Sequence, residues 1–209
     1  MADRSGSRGF YERQAAAYDR RWRRYQAATH EALLAHLEGR YRRVLDAGCG
    51  TGTLLLRLLE RHPDAEGIGL DTSGGMLDIA RRKLAGRRAR LYRADARRIP
   101  LPRDRVDLLT LASVLHYLRR PSAALGEAYR VLRPGGTLAI VDYVTRAGTG
   151  SLLDGLIRLY DPGHVRCRDA RELGACTAAA GFRITHVGQF PIDGIFRGVL
   201  IVARAPGAP

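Results

Sequence analysis

The sequence predicts an α/β fold, a single doubly wound sheet of mainly parallel strands with helices on both faces. The first apolar strand leads into a glycine-rich turn, Asp46-Ala47-Gly48-Cys49-Gly50-Thr51-Gly52, and a leucine-rich helical run follows at once. The stretch 106–112 is nearly all apolar, as expected of a strand that is covered on both faces. At 209 residues the chain suits one domain of this class.

The N-terminal stretch predicts a helix over residues 10–38. Apolar side chains recur there every three to four residues, and arginines occupy the remaining faces. We therefore expect an N-terminal helical cap over residues 1–40 and a core over residues 41–209, together forming one domain.

The other elements follow from local signals. Thr72 or Ser73 is available to cap the helix after the second strand, and Asp169 with Glu172 resembles a capping box. Strands are predicted at 42–46, up to Asp71, 90–94, 106–112, 137–142, 182–190 and 198–203, and helices at 53–61, 76–84, 121–132 and from Asp169.

The glycine-rich turn predicts a site for an adenosine-type ligand. Gly48, Gly50 and Gly52 have no β-carbon, so the backbone can lie directly against a ligand. The helix that follows directs its unpaired N–H groups toward the same place. A dinucleotide fingerprint would require glycine where this chain has Thr53, which disfavours a pyrophosphate-bearing cofactor.

The motif Val-Leu-Asp-Ala-Gly-Cys-Gly-Thr-Gly at 44–52 resembles motif I of the class I S-adenosylmethionine (SAM) dependent methyltransferases. The acids Asp71 and Asp95 and the turn Leu-Arg-Pro-Gly-Gly at 132–136 agree with that family. The N-terminal aromatic segment resembles the small-molecule branch that includes the ubiquinone/menaquinone biosynthesis methyltransferases. The resemblance implies a Rossmann-like sheet of seven strands with the last strand antiparallel, and a lid insertion near 145–168.

The same resemblance implies SAM as the cofactor. It assigns Asp71 to the ribose diol, Asp95 and the N–H of Ala96 to adenine, and Tyr18 to a position over the cofactor. Met76 resembles the family methionine that packs beside adenine. Several of these residues also have a plainer explanation: a helix cap for Asp71, a turn for Asp95, and core packing for Tyr18 and Met76. The full predicted set is Tyr18, Asp46, Ala47, Gly48, Cys49, Gly50, Gly52, Asp71, Thr72, Met76, Asp95, Ala96 and Ala112.

His116 is the predicted catalytic base. It follows the fourth strand, at the edge where doubly wound folds open their binding crevice. A base is needed only if the acceptor is protonated in its resting form. The alternative is a histidine that packs against the following helix. Tyr18, Tyr160 and His164 are weaker candidates, contributed by the cap and the lid.

The predicted acceptor is a small molecule, methylated on oxygen, nitrogen or carbon. The end of the fourth strand lacks the N/D-P-P-Y/F motif of nucleic-acid enzymes that methylate base nitrogens. An apolar lid suits a quinone precursor, a lipid-like compound or a specialised metabolite, and its candidate residues are Leu152, Leu153, Leu156, Ile157 and Tyr160. The sequence leaves the oligomeric state open.

The net charge of +14 raises an alternative, an RNA or protein methyltransferase that recruits its substrate through the basic stretch 81–105. We favour a solvated surface, because Lys83 is the only lysine among 35 basic residues, and so lopsided a choice indicates coding bias as much as selection for contacts. A second alternative is a SAM-binding subunit without turnover.

Composition disfavours several other classes of protein. The three cysteines are too few and too scattered for a disulfide framework, and neither they nor the histidines show metal-ligand spacing, so no metal site is predicted. No apolar run reaches the roughly 18 residues that a membrane span needs. The N-terminus lacks the apolar region of a signal peptide, so we expect a cytoplasmic protein.

Overall fold

The computed structural model describes residues 6–144, 154–155, 164–192 and 197–207. Seven strands form one sheet, and six α-helices of eight or more residues lie within the described ranges. The strands are β1 (Arg43–Ala47), β2 (Glu66–Asp71), β3 (Ala89–Arg93), β4 (Val106–Ala112), β5 (Leu132–Val144), β6 (Arg183–Pro191) and β7 (Arg197–Arg204). The helices are α1 (Gly6–Arg21), α2 (Arg23–Ala35), α3 (Thr53–Arg61), α4 (Gly74–Lys83), α5 (Ser122–Val131) and α6 (Ala170–Ala179).

The strand order is β3-β2-β1-β4-β5-β7-β6, which confirms the predicted doubly wound topology. The first five strands pair in parallel. β7 is antiparallel to both of its neighbours, β5 and β6. The order changes direction between β1 and β4, and such a point is where open α/β sheets bind their ligands.

The core lies on both faces of the sheet because successive residues of a strand point to opposite sides. Val44 of β1 and Leu108 of β4 belong to a cluster built with the leucines of α2 and α3. Their neighbours Leu45 and Leu109 belong to a second cluster, built with α5 and α6. All four side chains are fully buried, so the apolar character of these strands is explained by two-sided burial.

The cap differs from the single helix predicted over residues 10–38. Trp22 leaves helical geometry, with φ −103° and ψ 14°, and divides the stretch into α1 and α2. The two helices pack on different parts of the molecule: α1 contacts α4, whereas α2 contacts β5 and β7. Leu33 and Leu37, on α2 and just after it, are almost completely buried in the core. Only α1 therefore lies outside the core, as a cap would.

Both predicted helix caps are confirmed. The Ser73 hydroxyl accepts a hydrogen bond from the backbone N–H of Met76 at 3.2 Å, and Asp169 accepts from the N–H of Glu172 at 2.7 Å. The residues predicted to line an apolar lid, from Leu152 to Tyr160, lie outside the described ranges. Among the described helices, none combines the length and the apolar character required to cross a bilayer.

Candidate functional site

A pocket of ≈ 540 Å³ opens at the edge of the sheet where the parallel strands end. The segments that follow β1, β2, β3 and β4 form its walls, and α1 covers one side. Nine residues of the predicted cofactor set line it: Tyr18, Gly48, Gly50, Asp71, Thr72, Met76, Asp95, Ala96 and Ala112. The structure thus brings together residues from five separate stretches of the sequence.

The glycine turn after β1 requires glycine for two different reasons. Gly48 has φ +90°, and a β-carbon there would lie 2.3 Å from Cγ2 of Val114. Gly50 has φ +52°, and the nearest atom to a β-carbon there would be Cε1 of Tyr18 at 4.0 Å. Gly48 therefore permits close packing within the protein, whereas Gly50 leaves open backbone on the wall of the pocket.

Asp71 joins the end of β2 to the glycine turn. Its Oδ2 accepts from the N–H of Gly50 and its Oδ1 from the N–H of Ser73, each at 2.9 Å. Burial raises the pKa of Asp71, and the backbone hydrogen bonds offset part of that rise. Ser73 caps α4, so the alternative explanation of Asp71 as the cap residue does not apply.

Asp95 lies on the wall that follows β3. Its carboxylate accepts from Nε and Nη2 of Arg97 at 3.0 and 2.7 Å, and from the backbone N–H of the same residue at 2.9 Å. Asp95 therefore forms the local turn that was its alternative explanation, and it also lines the pocket. Ala96 is 9% exposed beside it.

Four residues of the predicted cofactor set lie behind the pocket wall. Asp46 is 1% exposed and accepts from Oγ1 of Thr110 at 2.7 Å. Together with Cys49 it lines a smaller adjoining cavity of ≈ 40 Å³. Ala47 lies in the core, and Gly52 packs against α4. Burial raises the pKa of Asp46 to about 7, with the nearby Asp71 adding to the rise and the Thr110 hydroxyl opposing it.

His116, the predicted base, is 2% exposed and is not among the residues that line the pocket. It lies in a short 3₁₀ turn, Leu115–Tyr117, after β4. Its Nδ1 is 2.5 Å from Oδ1 of Asp142, and its backbone N–H donates to Oδ2 of the same carboxylate at 3.1 Å. Asp142 therefore fixes both the ring and the turn, while the neighbouring Tyr117 lines the pocket.

On the β4 side of the pocket, sequence reasoning identified Ala112 but missed the lining residues Ser113, Val114, Tyr117 and Leu118. Ser113 has φ +59°, unusual for a residue with a side chain. Its hydroxyl is 2.5 Å from that of Tyr25, and the Tyr25 ring stacks on Tyr143 at 4.6 Å. The sequence carries no local signal for this backbone conformation of Ser113.

A second polar cluster lies within the predicted lid range, 145–168. The His164 ring nitrogen Nε2 donates to Oδ1 of Asp154 at 2.7 Å, and the N–H of Cys167 donates to the same oxygen at 2.8 Å. The N–H groups of Val165 and Arg166 both donate to the carbonyl of His116 at 3.1 Å. The last residues of the predicted lid are thus fixed to the turn that carries His116 and Tyr117.

The basic stretch 81–105 is partly neutralised by neighbouring acids. Four of its arginines form ion pairs with carboxylates: Arg81 with Asp78, Arg87 with Glu60, Arg90 with Glu66, and Arg97 with Asp95. Most of these side chains are exposed, so the pairs are weak and screened by salt. The pairing fits a solvated mixed-charge surface.

A family model described as a methyltransferase domain matches residues 44–136, which span β1 to the start of β5. Demethylmenaquinone methyltransferase of Thermus thermophilus is 42% identical over 127 residues, covering 60% of this chain and 55% of that protein. The ubiquinone/menaquinone biosynthesis C-methyltransferase UbiE of Syntrophotalea carbinolica is 36% identical over 186 residues, covering 87% and 73%.

Solved structures show the same fold. Geranyl diphosphate C-methyltransferase from Streptomyces coelicolor superposes with a TM-score of 0.74 at 19% identity, covering 86% of this chain and 77% of that one. Sequence, sheet order and the position of the pocket agree with one another. The chain therefore belongs to the class I SAM-dependent methyltransferase family, in the small-molecule branch that includes the ubiquinone/menaquinone biosynthesis methyltransferases.

Proposed function

We propose that this chain binds SAM in the ≈ 540 Å³ pocket and transfers its methyl group to a small molecule. The observation that carries the proposal is the convergence of the glycine turn, Asp71 and Asp95 on one pocket at the switch point of the sheet. The volume lies in the ordinary range for sites that hold one small ligand.

The residues present suit a sulfonium nucleoside. Asp71 offers carboxylate oxygens to a diol, Met76 and Ala96 offer apolar surface to a purine ring, and Gly50 leaves its backbone uncovered. The buried carboxylate of Asp46 and the half-buried carboxylate of Asp71 favour a ligand that carries positive charge.

When bound, SAM supplies a methyl group that is already activated by its positively charged sulfur. The protein must then align the acceptor and exclude water, which accounts for much of the rate in reactions of this kind. Tyr117, Leu118 and Val114 form the wall on the β4 side, where we place the acceptor. His116 as the base stays a prediction, and Asp142 orients its ring.

The acceptor class is part of the proposal. The named relatives make a demethylated quinone precursor the first compound to test. A small-molecule acceptor is also favoured by the ion pairs that partly neutralise the basic stretch 81–105.

The experiment is a methyl-transfer screen with isotope-labelled SAM. Purified protein is incubated with a demethylated quinol, with a metabolite extract and with total RNA, and each pool is examined for labelled product. We expect label in a low-mass compound. Label in RNA that is lost as salt increases would favour the RNA alternative. SAM binding without labelled product from any pool would favour the non-catalytic subunit.

A further inference from the structure

The only lysine of the chain makes an unusual set of contacts. Lys83 is the last residue of α4, and its ammonium donates to Oδ2 of Asp19 at 2.8 Å, Oγ1 of Thr53 at 2.5 Å and Oγ1 of Thr51 at 3.1 Å. Its side chain is 22% exposed. An ammonium has three N–H donors, and here each has an oxygen partner.

Asp19 completes this network from the cap helix α1. Its Oδ1 accepts from Oγ1 of Thr51 at 2.6 Å and from Oγ1 of Thr53 at 3.3 Å. Burial raises the pKa of Asp19, but the hydrogen bonds from Lys83 and Thr51 outweigh that effect and lower the pKa below its usual value. The carboxylate and the ammonium therefore share two hydroxyl groups, and the network joins α1, the glycine turn and α4.

This network flanks the mouth of the proposed SAM pocket. Tyr18 directly precedes Asp19 and Gly50 directly precedes Thr51, and both line the pocket side by side, since a β-carbon at Gly50 would lie 4.0 Å from Cε1 of Tyr18. Fixing Asp19 to Thr51 and Lys83 thus fixes the separation of Tyr18 and Gly50.

We propose that Lys83 is a positioning residue that holds Tyr18 of the cap helix over the SAM pocket through Asp19. The proposal rests on SAM binding at this pocket, as argued above. Lys83 is not among the residues that line the pocket, so it acts by keeping α1 closed rather than by contact with the ligand. Its removal should speed the release of SAM.

Two features of the sequence find an explanation in this network. The chain uses arginine at 34 of its 35 basic positions and lysine only here. The donors of a guanidinium form a rigid planar fork, whereas the compact ammonium can rotate its three donors toward three converging oxygens. Thr53 occupies the position where a dinucleotide fingerprint has glycine, and its hydroxyl is one of those three oxygens.

A second contact secures α1 near its middle. The Ser73 hydroxyl donates to Oε2 of Glu12 at 2.6 Å, next to the start of α4. Gly75 allows the backbone of Glu12 to approach closely, since a β-carbon there would lie 3.2 Å from the Glu12 carbonyl oxygen. Loss of Lys83 should therefore loosen one end of the cap helix without detaching it, and the variants should remain folded.

The test measures the dissociation rate of labelled SAM after a chase with unlabelled SAM. We expect release about tenfold faster from Lys83→Met, and about threefold faster from Lys83→Arg, which keeps the charge but not the geometry. Arg81→Met is the matched control, because Arg81 forms an exposed ion pair with Asp78 on the same helix and should release SAM at the wild-type rate.

Wild-type release from Lys83→Met would overturn the proposal, provided that the wild-type protein binds SAM. Failure of the wild-type protein to bind SAM would overturn the proposed function instead. A melting temperature measured without ligand separates positioning from stability: a lowered value with an unchanged release rate would leave Lys83 a purely structural residue.

A double variant tests whether Lys83 affects SAM release through Tyr18. If Lys83 acts through Tyr18, then Lys83→Met should add little to the release rate once Tyr18→Ala is in place. Fully multiplicative effects of the two changes would show that Lys83 does not act through Tyr18, and would overturn the proposed route.

Discussion

We predict that the buried carboxylate of Asp46 makes SAM affinity depend on pH. Its pKa is raised from 3.8 to about 7, so the ionised form is disfavoured in the free protein. A cationic ligand favours the ionised form. Affinity should therefore rise with pH, by up to about tenfold per unit, and level off above the free-protein pKa of about 7.

Binding heats measured by calorimetry in two buffers with different heats of ionisation give the number of protons exchanged on binding. Below pH 7 we expect the protein to release a proton when SAM binds. Asp46→Asn is the matched control and should lose most of the pH dependence. Proton uptake on binding, or a wild-type affinity that does not change between pH 5 and 8, would contradict the assignment of Asp46.

His116 is tested by a substitution that keeps its contact with Asp142. In His116→Asn the side-chain amide can still donate to that carboxylate, but no group remains to take a proton. If His116 is the base, turnover should fall by roughly 10²–10⁴-fold with SAM affinity unchanged. Turnover near the wild-type value would make His116 a residue that only holds the turn after β4.

At the scale of one element, the turn after β1 depends on the absence of a side chain at Gly48. A β-carbon there would meet Cγ2 of Val114 at 2.3 Å, in addition to the strain of φ +90°. Gly39 has nearly the same φ, +92°, but a β-carbon at that position would have no atom within 4 Å, so Gly39→Ala isolates the strain.

We expect Gly39→Ala to lower the free energy of unfolding by about 1–2 kcal/mol, and Gly48→Ala to lower it by more and to weaken SAM binding as well. Urea unfolding and calorimetry on the two variants measure the difference. Equal losses, with SAM binding intact in Gly48→Ala, would show that Val114 moves aside freely and that the turn tolerates a side chain.

Elements with strong local signals could be predicted from the sequence. Helix α3 and strand β4 have their predicted boundaries, because a glycine turn and an apolar run define them. The break at Trp22 could not be predicted, since it arises from α1 packing on α4 while α2 packs on the sheet. Pocket residues on family motifs were identified, but Ser113 was not, because its φ of +59° leaves no sign in the sequence.

At the scale of the whole molecule, the predicted cap consists of two parts with different roles. α1 lies over the pocket, whereas α2 contributes Leu33 and Leu34 to the core, with Leu37 just after it. Truncating a buried leucine to alanine costs about 2–5 kcal/mol, against a total stability of about 5–15 kcal/mol.

Two truncations test this division. Deletion of residues 1–22 should leave a cooperative thermal transition and weaken SAM binding. Deletion of residues 1–40 should abolish the cooperative transition, because three buried leucines are lost together. A protein lacking residues 1–40 that melts like the full chain would contradict the assignment of α2 to the core.

The central claim is that the glycine turn and Asp71 form a SAM site, and calorimetric titration with SAM tests it most directly. We predict one site per chain, and binding about 10–100-fold weaker in Asp71→Ala, the loss expected for a charged hydrogen-bond partner. Asp78→Ala removes an exposed acid from α4 and should bind like the wild type. No binding heat with the wild-type protein, or equal affinity in Asp71→Ala, would contradict the account.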